Sequence, residues 1–215
     1  MRGSILVGLL VVVAMTIGGL ADAAPSTKQY ETSFTPSLAA AGAAGVTYML
    51  TLQNDPKSNQ TLGSANFLVP SRFSSVSVTQ PVASGGQTGW SAAIDAGVLE
   101  LRSATSKDGL APGQALTMSV TLTAPPISTA CFDYSWHSAV KQSNDFGGTG
   151  NDFALQGADA ALTVAKLVIT GQPAAVVQAG STFSTSVSAE DGCGTVLKTA
   201  SGNVALGLGA NPSGG

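Results

Sequence analysis

The sequence predicts an all-β protein built as an antiparallel sandwich, and three observations carry that prediction. In Ala115–Thr123, Leu116, Met118, Val120 and Leu122 alternate with Thr and Ser, so one face of an extended segment is apolar and the other carries hydroxyls. About eight such short segments recur between clusters of Gly, Pro, Asn and Ser, which is the spacing of sandwich strands. Past the N-terminal region, helical periodicity is almost absent. A strand that is half apolar needs a second sheet to cover it.

The segments follow in order. Pro25–Pro36 is polar, with an extended Tyr30–Phe34 piece that reads as a first, edge strand. Ala39–Gly45 has small residues and no apolar stripe, so it reads as a loop with at most one helical turn. Val46–Gln53 places Val46, Tyr48, Leu50 and Leu52 on one face, and Asn54–Gln60 is a turn cluster. Phe67–Val69 is a short strand stopped by Pro70; Phe73–Val78 alternates again, and Pro81–Gly89 is a loop. Trp90 opens a short strand, and Val98–Arg102 alternates on Leu99 and Leu101. The Ala115–Thr123 strand is closed by Pro112-Gly113 before it and Pro125-Pro126 after it. Phe132, Tyr134 and Trp136 then share one face of a further strand, Lys141–Gly150 is a polar loop, and Asp152–Leu155 and Leu162–Val164 complete a domain over 24–165.

A new unit begins at Lys166. Leu167–Thr170 ends in the Gly171-Gln172-Pro173 turn, Ser181–Ala189 alternates, and Val204–Leu208 is a third strand. Three strands cannot enclose a core of their own. The 166–215 segment therefore either docks on the first sandwich or is a partial second unit, and the second alternative is preferred.

The N-terminus reads as an export signal over 1–23. Arg2 precedes an apolar run, Ile5–Leu20, and Ala21-Asp22-Ala23 supplies a small-x-small cleavage pattern. The run of about 16 residues falls short of the roughly 20 that span a bilayer, so no membrane span is expected after cleavage. Charged residues make up 10% of the chain and the net charge is −3. With nine Lys and Arg against twelve Asp and Glu, no basic surface exists to neutralise phosphates, and nucleic acid is excluded as a partner. Cys131 and Cys193 are a candidate disulfide in an exported chain; the alternative, that each is unpaired here and the partner of Cys193 lies elsewhere, stays open.

The turn Leu110-Ala111-Pro112-Gly113, the strand after it and Ala124-Pro125 resemble a stretch of bacterial extracellular Ig-like domains. Leu167–Pro173, Ala179-Gly180, the strand containing Phe183, Asp191-Gly192-Cys193-Gly194 and the Val204 strand resemble the opening half of a second such repeat. The resemblance implies an Ig-like sandwich followed by a partial second Ig-like unit, on a secreted or cell-surface protein. It also implies neighbouring Ig-like repeats or surface proteins as partners, and it brings no catalytic residue.

Chemistry beyond folding has few candidates. His137 is the one histidine, and a hydrolase would use it as the base for Ser135 or Ser138. Strand geometry sets Ser135 and His137 about 7 Å apart, and no Gly-x-Ser-x-Gly elbow exists. Asn144-Asp145 and Asn151-Asp152 offer too few oxygen ligands for calcium, and one His with two distant Cys gives no zinc spacing. No catalytic residue, metal or cofactor is expected. Trp90 and Trp136 are the aromatics that would face a ligand in the alternative reading, a carbohydrate-binding module for a polysaccharide. The favoured expectation is a non-enzymatic structural or adhesive module acting as a rigid spacer, with any recognition in loops such as Pro81–Gly89 or Lys141–Gly150.

Overall fold

A computed structural model describes residues 27–127, 131–178, 180–198, 200, 204, 205 and 207. The export signal, Leu206 and the tail 208–215 lie outside the described residues, and Val204, Ala205 and Gly207 of the expected Val204–Leu208 strand are in no strand. Thirteen strands and no helix are described: β1 (Gln29–Thr35), β2 (Leu38–Ala40), β3 (Val46–Asn54), β4 (Ser64–Leu68), β5 (Ser74–Val78), β6 (Val82–Ala83), β7 (Ser91–Asp95), β8 (Val98–Arg102), β9 (Ala115–Thr123), β10 (Ser138–Lys141), β11 (Ala154–Leu155), β12 (Thr163–Gly171) and β13 (Ser186–Glu190). The fold class is all-β, as the alternation of apolar and hydroxyl residues predicts.

One sheet runs β11-β1-β3-β9-β5, with β6 also on β9, and a second runs β10-β4-β8-β7. β3 and β9 lie side by side at the centre of the first. Leu52 faces Leu116, Leu50 faces Met118 and Tyr48 faces Val120. All six side chains are buried. Their hydroxyl neighbours point outward, where Thr47 and Thr121 share a 2.8 Å hydrogen bond. Ala65, Phe67, Leu99, Leu101 and Val140 close the core from the second sheet. Each such aliphatic side chain contributes roughly 1.5–3 kcal/mol by leaving water.

Polar clasps hold the loops to this core. Buried Asn54 donates from Nδ2 to the carbonyls of Gln60 and Leu110, both at 2.8 Å. Ser103 Oγ donates to the Gly63 carbonyl at 2.8 Å. Gly63 is required because a Cβ there would run into the backbone of Gln142 and Ser143.

Four expectations need correction. The strand through Tyr30 is no edge: β1 pairs antiparallel with β3 on one side and parallel with the two-residue β11 on the other. Leu38–Ala40, just upstream of and overlapping the expected small-residue loop, forms strand β2, because Ala39 packs into the core and its backbone pairs with β12. The Phe132–Trp136 segment is irregular and forms one isolated bridge, from Ser135 to Ala161, outside the named strands. Its aromatics are placed by packing instead: Trp136 lies edge-on to Phe34 at 5.2 Å. Finally, Leu162–Val164 and Leu167–Thr170 are not separate strands but belong to the single β12 and its approach.

β12 is the element that organises the C-terminal region. Thr163–Ala165 pair in parallel with Leu38–Ala40, and Lys166–Gly171 pair antiparallel with Glu190–Ser186. The partner changes between Ala165 and Lys166 without a break in the strand. The third sheet is therefore β13-β12-β2.

Candidate functional site

The polar cluster around His137 is built by the irregular segment before β10. Asp133 Oδ1 accepts the Ser135 N–H at 2.8 Å, a local turn that aims its other oxygen at the histidine. His137 lies between two carboxylates, with Nδ1 3.0 Å from Asp159 Oδ2 and Nε2 3.3 Å from Asp133 Oδ2. The hydrogen bond to Asp159 raises the His137 pKa first, aided by the charges of Asp159 and Asp133. Bonds from Ser135 hold Asp133 below the usual carboxylate range.

This arrangement differs from a hydrolase triad in its order. Ser138 Oγ donates to Asp159 Oδ1 at 2.6 Å, and the Ser138 N–H adds a bond of 2.8 Å to the same oxygen. The serine thus meets the carboxylate rather than the imidazole, and both imidazole nitrogens face carboxylates. General-base activation needs the imidazole on the hydroxyl. Tyr30 Oη, 2.9 Å from Ser138 Oγ, ties the cluster to β1. What the cluster does physically is fasten the Asp159 loop across β1 and the start of β10.

The Lys141–Gly150 loop is likewise turned inward. Phe146, at a φ of 59°, lies under the Arg102 guanidinium at 5.0 Å and the Lys141 ammonium at 5.4 Å. Asp145 Oδ1 accepts the Gly147 N–H at 2.9 Å, a bond that lowers the Asp145 pKa. Asp152 pairs with Lys141 at 3.3 Å. Among the described residues, no group of three or more His, Cys, Asp or Glu could hold a metal ion.

Neither tryptophan is presented to a ligand. Trp136 is fully buried, and Trp90 is buried with its Nε1 donating to the Asp108 carbonyl at 2.7 Å. A sugar platform needs an open ring face, so the suggestion that Trp90 and Trp136 face a ligand is corrected: both are core residues. Cys131 and Cys193 are joined as a disulfide across 62 residues, with Cα atoms 4.7 Å apart.

A concave surface lies elsewhere, at the change of partner along β12. Leu38, Ala40, Leu167, Val187, Val196 and Val204 line a groove of about 830 Å³ between β2 and the β12–β13 hairpin. Register puts Leu167 opposite Ala189 and Ile169 opposite Val187, so these four share one face. Leu167 is 61% exposed, Ile169 53% and Phe183 61%, far from the near-zero values of the sandwich core. Sequence reasoning missed this groove. Its signal was present in the small side chains of Ala39–Ala41 and the apolar Leu167–Ile169 run, but the face between them depends on parallel pairing across more than a hundred residues.

No known protein family profile matches the chain, and no curated protein matches it. Solved structures with some likeness include a non-cellulosomal cohesin from the hyperthermophilic archaeon Archaeoglobus fulgidus, 13% identical, with a TM-score of 0.39 over 63% of this chain and 88% of that one. Another is the major pilin subunit of Bacillus cereus, 12% identical, with a TM-score of 0.35 over 76% of this chain and 53% of that one. Likenesses this distant bring no residue role to the present chain.

Proposed function

We propose that the protein is a non-enzymatic structural or interaction module of an exported or cell-surface protein, in which the sandwich over 24–165 continues stiffly into a partial second Ig-like unit over 166–215. The observation that carries this reading is the unbroken β12. A flexible tether would be Gly- and Ser-rich and free of pairing, whereas here Ala165 and Lys166 are consecutive residues of one strand with partners on either side of the junction. Force or orientation applied to the hairpin is passed to the sandwich through backbone hydrogen bonds.

The supporting chemistry is what the surface offers. The titratable groups around His137 and Phe146 are engaged in internal bonds, while apolar area is left open along the hairpin. An open apolar face suits contact with a neighbouring module better than it suits a polar substrate.

Two measurements on the same protein test the reading. Labelling intact source cells with a membrane-impermeant amine reagent should modify exposed Lys57 and Lys107; labelling only after lysis would remove export. Incubation with insoluble cell-wall polysaccharide should leave the protein in the supernatant. Retention on the polysaccharide would favour the carbohydrate-binding alternative.

A further inference from the structure

We infer that the Cys131–Cys193 disulfide is a clamp that fixes the β12–β13 hairpin against the sandwich, so that the orientation of the C-terminal unit depends on this one bond. The inference goes beyond the spacer reading, since it adds to the continuity of β12 a second, covalent link that fixes the twist of the hairpin.

The two ends of the bridge differ in how they are held. On the sandwich side, Cys131 adjoins Phe132, whose ring lies 3.6 Å beneath the Arg72 guanidinium. Tyr134, two residues further, is buried and packs on Phe73 at 5.8 Å. On the hairpin side, Cys193 sits in a turn made rigid by Asp191, whose Oδ1 accepts the N–H groups of Cys193 and Thr195, both at 2.8 Å. The Asp191–Cys193 turn faces Phe132–Ser135, Ala161 and Thr163 across a cleft of about 190 Å³. One anchored segment is therefore linked to one preformed turn.

Little else holds the hairpin in place. β13 is bonded to β12 alone among the named strands. Its apolar partners Leu167 and Ile169 remain more than half exposed, so burial contributes little there, and a two-stranded hairpin is marginal by itself. Among the described residues, the disulfide is the one covalent link besides β12 that joins the hairpin turn to the sandwich. With two links the hairpin has one orientation; with β12 alone it can twist at Ala165–Lys166, and the apolar groove lined from both sides would change width.

The test compares the untreated chain with the chain reduced by dithiothreitol. A reductant thiolate attacks one sulfur to form a mixed disulfide, and its second thiol then releases the other protein thiol. Two electrons pass to the cysteines while the reductant closes to a cyclic disulfide. Both cysteines lie at exposed positions, so the reagent has access. Amide hydrogen exchange should accelerate at least tenfold on reduction for Lys166–Gly171 and Ser186–Glu190, with Leu50, Leu101 and Leu116 unchanged. Cys193→Ser should show the same pattern without reductant. Unchanged hairpin exchange would overturn the inference. So would equal acceleration in the sandwich, which would make the bond a general staple, or two alkylatable thiols in the untreated protein.

Discussion

Asp159 serves two neighbours at once: its Oδ2 lies 3.0 Å from His137 Nδ1 while its Oδ1 takes the Ser138 hydroxyl at 2.6 Å. The carboxylate stands between the serine and the imidazole, which separates the two groups a nucleophilic enzyme would join. It also raises the pKa of the only histidine.

The first prediction concerns that pKa. The His137 pKa is raised above 6.5 by the bond to Asp159. A raised pKa in the folded state means the proton stabilises the fold. The contribution is fully present below the unfolded-state pKa and is lost as pH rises through the folded one. The His137 ring signals in NMR should titrate with a midpoint above 6.5, and Asp159→Asn should move the midpoint down. A wild-type midpoint below 6.5 would contradict the two-carboxylate geometry.

Period-two burial makes a second prediction. Leu116→Ala empties a fully buried site opposite Leu52 and should destabilise by roughly 2–5 kcal/mol in urea unfolding. Thr117→Ala, one residue on and facing outward, should change stability by about 0.5 kcal/mol or less. Similar losses from both would mean that β9 does not divide a dry face from a wet one.

The Asn54 clasp gives a third. Asn54→Ala removes the donors to the Gln60 and Leu110 carbonyls, each loss costing about 1–3 kcal/mol where the acceptor is left dry. It also removes Asn54 Oδ1, a buried acceptor without a partner, which offsets part of the cost. The net effect on unfolding should be a destabilisation of about 2 kcal/mol. A neutral result would show that water replaces the amide.

Close backbone approach gives a fourth. Gly63→Ala should lower soluble yield and stability because the new methyl meets the main chain of Gln142 and Ser143, which cannot rotate aside. Gly97→Ala meets open space, but at a φ of 82° it carries backbone strain, costing on the order of 1 kcal/mol. The first should cost clearly more than the second.

How far the residues disclosed the fold depends on how local each signal is. β9 and β8 were legible to the residue, because alternation within nine and five residues fixes both strand and face. β2 was illegible: Leu38–Ala40 has no alternation to read and is extended because Thr163–Ala165 pairs with it. The Phe132–Trp136 alternation misled for the converse reason, since burying three rings did not require a ladder. Trp90 and Trp136 are ligand-facing only in the alternative carbohydrate-binding reading, and the packing around them places both inside. The groove between β2 and the hairpin was hidden altogether, because its two walls meet only through long-range pairing.

The stiffness of the β12 junction is tested most directly by residual dipolar couplings from backbone amides of the untreated protein in a dilute aligning medium. A single alignment tensor should fit the amides of β3, β8 and β9 together with those of Lys166–Gly171 and Ser186–Glu190. Two tensors of different magnitude would show that the strand bends freely at Ala165–Lys166 and would contradict the spacer account.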